Sequence, residues 1–184
     1  MRSWYKTMVG TLVVAAVGGA TAMADATTAL FLSREELVRV SDIVARVKVG
    51  KTLTAESDDK AAIITRTDVE VTQCLKGNCS THVVVQQFGG TYNGKTQRIL
   101  GDAKLVPGED AVVFLKRGGG GVTHFSVLAQ SAYHVDNKGM ARRSLDGLTL
   151  VKRTGSRMVP IVVTELPETV ESLMTDVKRL AGGK

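Results

Sequence analysis

The sequence predicts a mainly β protein: a small antiparallel barrel with a short helix before it and an amphipathic helix after it. Three observations carry this. Between residues 43 and 163 the chain divides into short runs rich in β-branched residues, separated by Gly, Asn and Pro turn signals. A serine-led capping box stands just before those runs. Apolar residues at helical spacing stand just after them. Many short strands bury their apolar faces by curling into a barrel.

Residues 1–24 read as a secretory signal peptide. Arg2 and Lys6 charge its start, a weakly apolar run covers residues 8–17, and Gly18-Gly19 precedes the small-x-small sequence Ala22-Met23-Ala24. Cleavage there leaves Asp25 as the first residue. The run is too short and too rich in Gly, Ala and Thr to cross a bilayer, which takes about 20 apolar residues. No later segment is longer, so no membrane span is expected after cleavage. The chain has 184 residues, so 160 remain, enough for one domain with a real core. The net charge of +6 includes Arg2 and Lys6, which leaves +4. The expected location is the periplasm or the cell exterior.

Residues 25–32 read as a flexible arm, and residues 33–181 as a single domain. Ser33-Arg34-Glu35-Glu36 is the capping box of a short helix reaching Val40, with Leu37 and Val40 on its apolar face. Residues 43–49 alternate as a strand, and the polar stretch 51–60 reads as a loop. Residues 63–75 form the clearest strand, with Ile63, Thr65, Thr67, Val69 and Val71 on one face. Its length implies a bend or bulge. Residues 81–88 return from a tight turn at Gly77-Asn78. Residues 96–100 are a short extended segment, and Pro107-Gly108 suits a type II turn. Residues 111–115 are continuously apolar and read as a central strand. Gly118–Gly121 is a hairpin tip. Strands at 123–128, 131–135, 140–143, 148–151 and 158–163 follow. Pro167 is expected to open the last helix, with Val170, Leu173, Met174, Val177 and Leu180 on one face.

Cys74 and Cys79 are the two cysteines. In an exported chain such a pair is expected to form a disulfide, and its spacing differs from the C-x-x-C of redox dithiols. The bridge would sit across the end of the hairpin made by residues 63–75 and 81–88.

Several stretches together resemble a family. Leu32-Ser33-Arg34-Glu35-Glu36-Leu37-Val38 and then Ser41-Asp42-Ile43-Val44 are similar to the opening of a group of uncharacterised secreted bacterial proteins. Thr67-Asp68-Val69-Glu70-Val71, Leu75-Lys76-Gly77, Gly89-Gly90 and residues 107–115 continue the likeness in order. That group is similar in turn to the netrin-like barrel of tissue inhibitors of metalloproteinases. The resemblance implies an OB-like antiparallel barrel of five strands with a flanking helix. It does not bring the inhibitory site with it. Those inhibitors set an N-terminal Cys-x-Cys on the protease zinc, whereas the expected start here is Asp25-Ala26-Thr27-Thr28.

Chemistry-bearing clusters are sparse. His82, His124 and His134 lie on predicted strands without metal-ligand spacing, so no metal site is expected. Ser131 and Ser144 lie near His134 and Asp146 in sequence, but no strained nucleophile turn accompanies them. Gly118–Gly121 leads into a strand, not the helix a phosphate loop needs. Asp58-Asp59 and Glu35-Glu36 lack the alternating acidic loop of a calcium site. No cofactor and no catalytic residue are expected. Lys116, Arg117, Arg142, Arg143, Lys152, Arg153 and Arg157 are the candidate face for an anionic polysaccharide or nucleic acid. Aromatics make up 4% of the chain, which disfavours base stacking. The expected function is a non-enzymatic exported module that binds a protein partner, with protease modulation as its sharpest form. Polyanion binding is the alternative.

Overall fold

The Glu36 amide donates to Ser33 Oγ at 3.2 Å, and the Ser33 amide donates to Glu36 Oε2 at 2.8 Å. This reciprocal cap satisfies two helix-start donors and opens the first helix. The computed structural model describes residues 26–182, so the expected signal peptide lies outside the described residues. In chain order the elements are β1 (Thr27–Leu30), α1 (Arg34–Val40), β2 (Ile43–Glu56), β3 (Ile63–Lys76), β4 (His82–Phe88), β5 (Gly90–Tyr92), β6 (Lys95–Gln97), β7 (Asp110–Arg117), β8 (Val122–Phe125), β9 (Ala132–Val135), β10 (Met140–Arg142), β11 (Leu148–Thr154), β12 (Arg157–Pro160), β13 (Glu168–Thr169) and α2 (Val170–Gly182).

Five strands pair in a ring: β2 with β3, β3 with β4, β4 with β8, β8 with β7, and β7 with β2. All are antiparallel except β4–β8, which is parallel. That seam holds only Val84↔Val122 and Val85↔Thr123, so the barrel is not closed along its length. A mainly β, OB-like, partly open barrel with a helix near each end of the chain results. The sheet continues past β7 through β9 and β10 to β13.

The apolar run of β7 serves two cores at once. Ala111, Val113 and Leu115 point into the barrel with Ala45, Val47, Val69 and Val85. Val112 and Phe114 point the other way, against Leu37, Tyr133, Leu173 and Val177. A strand buried on both faces has no polar alternation. α2 lays Val170, Leu173, Met174 and Val177 on the second core. Arg34 ties the helices together through ion pairs to Glu168 and to Asp176, the latter at 2.8 Å.

Several boundaries differ from expectation. The flexible arm contains a strand: β1 runs parallel to β11, with Thr27 opposite Leu148. Four residues are too few to show a period, and the partner lies more than a hundred residues away. The polar loop expected at 51–60 begins only after Glu56, because Thr52↔Thr67 and Thr54↔Thr65 continue the β2–β3 ladder. Polar threonines hold that extension through cross-strand contacts at 3.2 and 3.4 Å. The expected bulge lies in this pair, as register shifts between Val44 and Thr52. The last helix starts at Val170, because Glu168–Thr169 pairs with Met140–Ala141 first. Pro107-Gly108 forms its turn, with Gly108 at φ +89° and the Glu109 amide donating to the Val106 carbonyl at 3.0 Å.

Candidate binding surface

The Cys74–Cys79 disulfide forms at the end of the β3–β4 hairpin, with Cα atoms 5.8 Å apart. Beside it lies a cleft of about 470 Å³ lined by Arg39, Asp42, Lys76, Asn78 and Arg117. Lys76 is anchored there, donating to the Val38 and Ser41 carbonyls, the latter at 2.7 Å. Arg117 donates to the Asn78 carbonyl at 2.8 Å.

The structure distributes the expected basic face over several elements. Lys116 and Arg117 end β7, opposite His124 and Thr123 of β8. Arg142 is exposed on β10. Lys152, Arg153 and Arg157 are exposed on the β11–β12 hairpin, which belongs to a separate sheet with β1. Arg143 leaves the set: its side chain is only 6% exposed and pairs with Glu165. Its guanidinium stacks over Tyr133 at 5.1 Å and Phe31 at 5.9 Å. A buried, paired arginine is structural and cannot receive a polymer. The outward face of β3–β4 is no better suited, since Arg66 there is accompanied by the exposed Glu70 and by Asp68, which lies 3.3 Å from His82 Nδ1.

Ser144, His134 and Asp146 do meet, lining one cavity of about 210 Å³ with Glu109 and Asp102. Their contacts do not join nucleophile to base. Ser144 donates to Asp146 Oδ2 at 3.0 Å, and His134 Nδ1 lies 3.3 Å from Glu109 Oε2. Ser131 is fully buried and accepts from the Val127 amide at 2.6 Å. Burial raises the pKa of Asp102, against the hydrogen bonds from Gln87 and the Ala103 amide. His82, His124 and His134 lie on three different strands. No group of three or more His, Cys, Asp or Glu among the described residues is placed to hold a metal ion.

The most distinctive surface follows β11–β12. Ten large apolar residues among the described ones are exposed, and Met158, Val159, Val162 and Leu166 supply four of them within nine residues. Val162 is 97% exposed and Leu166 78%. Apolar clustering of this kind marks interaction sites on soluble domains. Three cations, Lys152, Arg153 and Arg157, precede it, and no acidic residue occurs from 147 to 164. The sequence gives one signal for this surface: residues 158–163 read Met-Val-Pro-Ile-Val-Val, a strand-like apolar run. Strand and core look alike in such a run, so its exposure is visible only in the fold.

No helix among the described residues is long and apolar enough to cross a membrane. Compared with models of known families, with curated proteins and with solved structures, the chain matches none.

Proposed function

We propose that this chain is an exported, non-enzymatic, netrin-like binding module that engages a protein partner in the cell envelope or outside the cell. The signal-peptide sequence and the disulfide support the compartment. The observation that carries the binding role is the exposed cluster of Met158, Val159, Val162 and Leu166 beside Lys152, Arg153 and Arg157. Covering such apolar surface contributes about 25 cal/mol per Å². The flanking cations favour an acidic partner and speed encounter. If the partner is a protease, this surface is the one that meets it, since the Cys-x-Cys edge is missing.

A photo-crosslinking residue at Val162 tests the proposal, with the same residue at His82 on the β3–β4 face as control. A discrete adduct from Val162 alone, in the native envelope or secreted fraction, is expected. No adduct at Val162, or the same adducts from both positions, sinks it.

Polyanion binding keeps one supporting observation: the β11–β12 hairpin presents three exposed cations, Lys152, Arg153 and Arg157. It predicts retention on heparin that weakens steeply with salt and falls in R153Q/R157Q. A flat salt response removes that reading.

A further inference from the structure

Residues 161–167 belong to no helix and no sheet. Exposure alternates along them: Ile161, Val163 and Glu165 are half-buried, while Val162, Thr164 and Leu166 face solvent. That is the period of a β-strand lying on the body of the protein. Ile161 still donates to the Leu150 carbonyl at 2.9 Å, which ends the β12 pairing. Beyond it, no backbone hydrogen bond joins residues 162–167 to another described residue. The segment is held from below instead, by the ion pair of Glu165 with the buried Arg143. The segment thus has the side-chain alternation of a strand, is tethered at Ile161 and Glu165, and keeps the backbone between them open to pairing. An open strand edge bordered by apolar side chains is a template for an added strand. β12 itself is less suited, since Pro160 lacks an amide proton and blunts that edge.

We propose that residues 162–166 bind an extended peptide segment of the partner by strand addition. The segment's backbone supplies the hydrogen bonds, and Val162 and Leu166 supply the apolar contacts. The occupant is a chain that alternates apolar and acidic residues, because the β11–β12 hairpin that leads into the site exposes Lys152, Arg153 and Arg157, with Lys152 opposite Val159 and Arg153 opposite Met158. This inference rests on the protein-partner reading above and specifies its mode.

The test selects a displayed library of extended peptides, with alternate positions fixed as Asp or Glu, against the purified oxidised protein. Selected peptides should slow amide exchange at residues 162–166. Thr164→Pro removes one amide donor from an exposed position outside any helix or sheet, and should weaken binding by about tenfold or more. V162D/L166D should do the same, and Thr164→Ser should stay within about twofold, since it keeps the backbone donor. If T164P binds as the unchanged protein does while V162D/L166D fails, strand addition is overturned and the protein-partner reading stands. A library that yields no binder overturns strand addition whatever the Val162 crosslink shows. A silent crosslink at Val162 overturns the wider reading. Circular dichroism of T164P guards against a variant that simply misfolds; in that case Val162→Pro, whose amide shares the edge of Thr164, replaces it under the same criteria, with Val162→Ala as the side-chain control.

Discussion

Gly77 approaches the Asp42 carbonyl so closely that a Cβ at Gly77 would stand 2.1 Å from its oxygen. The Gly77 backbone also sits at φ +84°, where a side chain is strained. Neighbouring groups explain why the approach is close. Lys76 reaches the Val38 carbonyl in the last turn of α1 and the Ser41 carbonyl just past its end. Asp42 Oδ2 accepts from the Arg117 amide at 2.9 Å. Helix, hairpin and β7 therefore meet at one joint, and Lys76-Gly77 is its structural element.

Gly77→Ala should cost roughly 3 kcal/mol or more, combining left-handed strain with a backbone clash. Gly155 is the control, because it has φ +62° and nothing within 4 Å of its added Cβ. Gly155→Ala should cost only about 1 kcal/mol. Urea midpoints of both variants check this. Equal losses would mean that strain alone, not the contact with Asp42, restricts Gly77.

The disulfide closes a loop with a sequence separation of 5. Constraining so short a loop contributes about 2 kcal/mol in the chain-entropy model. C74A/C79A should therefore stay folded and lose about that amount. Loss of the far-ultraviolet signature of the barrel in this variant would show that the bridge is essential to folding.

Gln130 is fully buried and bridges the open side of β1, donating to the Leu30 carbonyl and accepting from the Leu32 amide, each at 2.9 Å. Gln130→Leu keeps the volume and removes both bonds. It should cost about 2 kcal/mol and speed amide exchange across residues 27–32. Unchanged exchange there would mean that β11 alone holds the strand.

That bridge also explains what the sequence could and could not reveal. Local chemistry was legible: the Ser33–Glu36 box, the Val106–Glu109 turn, the two-sided apolar run of β7 and the Cys74–Cys79 pair depend on neighbours in sequence or on short-range pattern. β1 was not, because its partners Leu148 and Gln130 are distant and its four residues carry no period. The sequence shows Arg143 only as one charge in a basic stretch for the same reason: the fold alone places Glu165 and Tyr133 around it. The exposed apolar segment at 158–166 was hidden because apolar runs usually mean core.

Stability should fall at both extremes of pH through identifiable groups. The Asp176 hydrogen bonds with Arg34 and then Arg179 hold its carboxyl below the usual value. A depressed folded value adds stability above the unfolded value of about 4, and that stability is lost as pH falls through the folded value. Asp102 acts in the opposite sense, since burial raises it and its protonation relieves a cost. Tyr133 is also raised, chiefly by burial, with Arg143 and Arg34 opposing. The unfolded chain therefore releases this proton first, and stability declines as pH rises above about 10. D176N should lose less than the unchanged protein on acidification below pH 4. Y133F should lose less on the alkaline side, with a constant offset at neutral pH. Parallel urea midpoints across the pH range check both. An unchanged alkaline slope in Y133F would show that Tyr133 does not set it, and an unchanged acid slope in D176N would remove Asp176 from the acid transition.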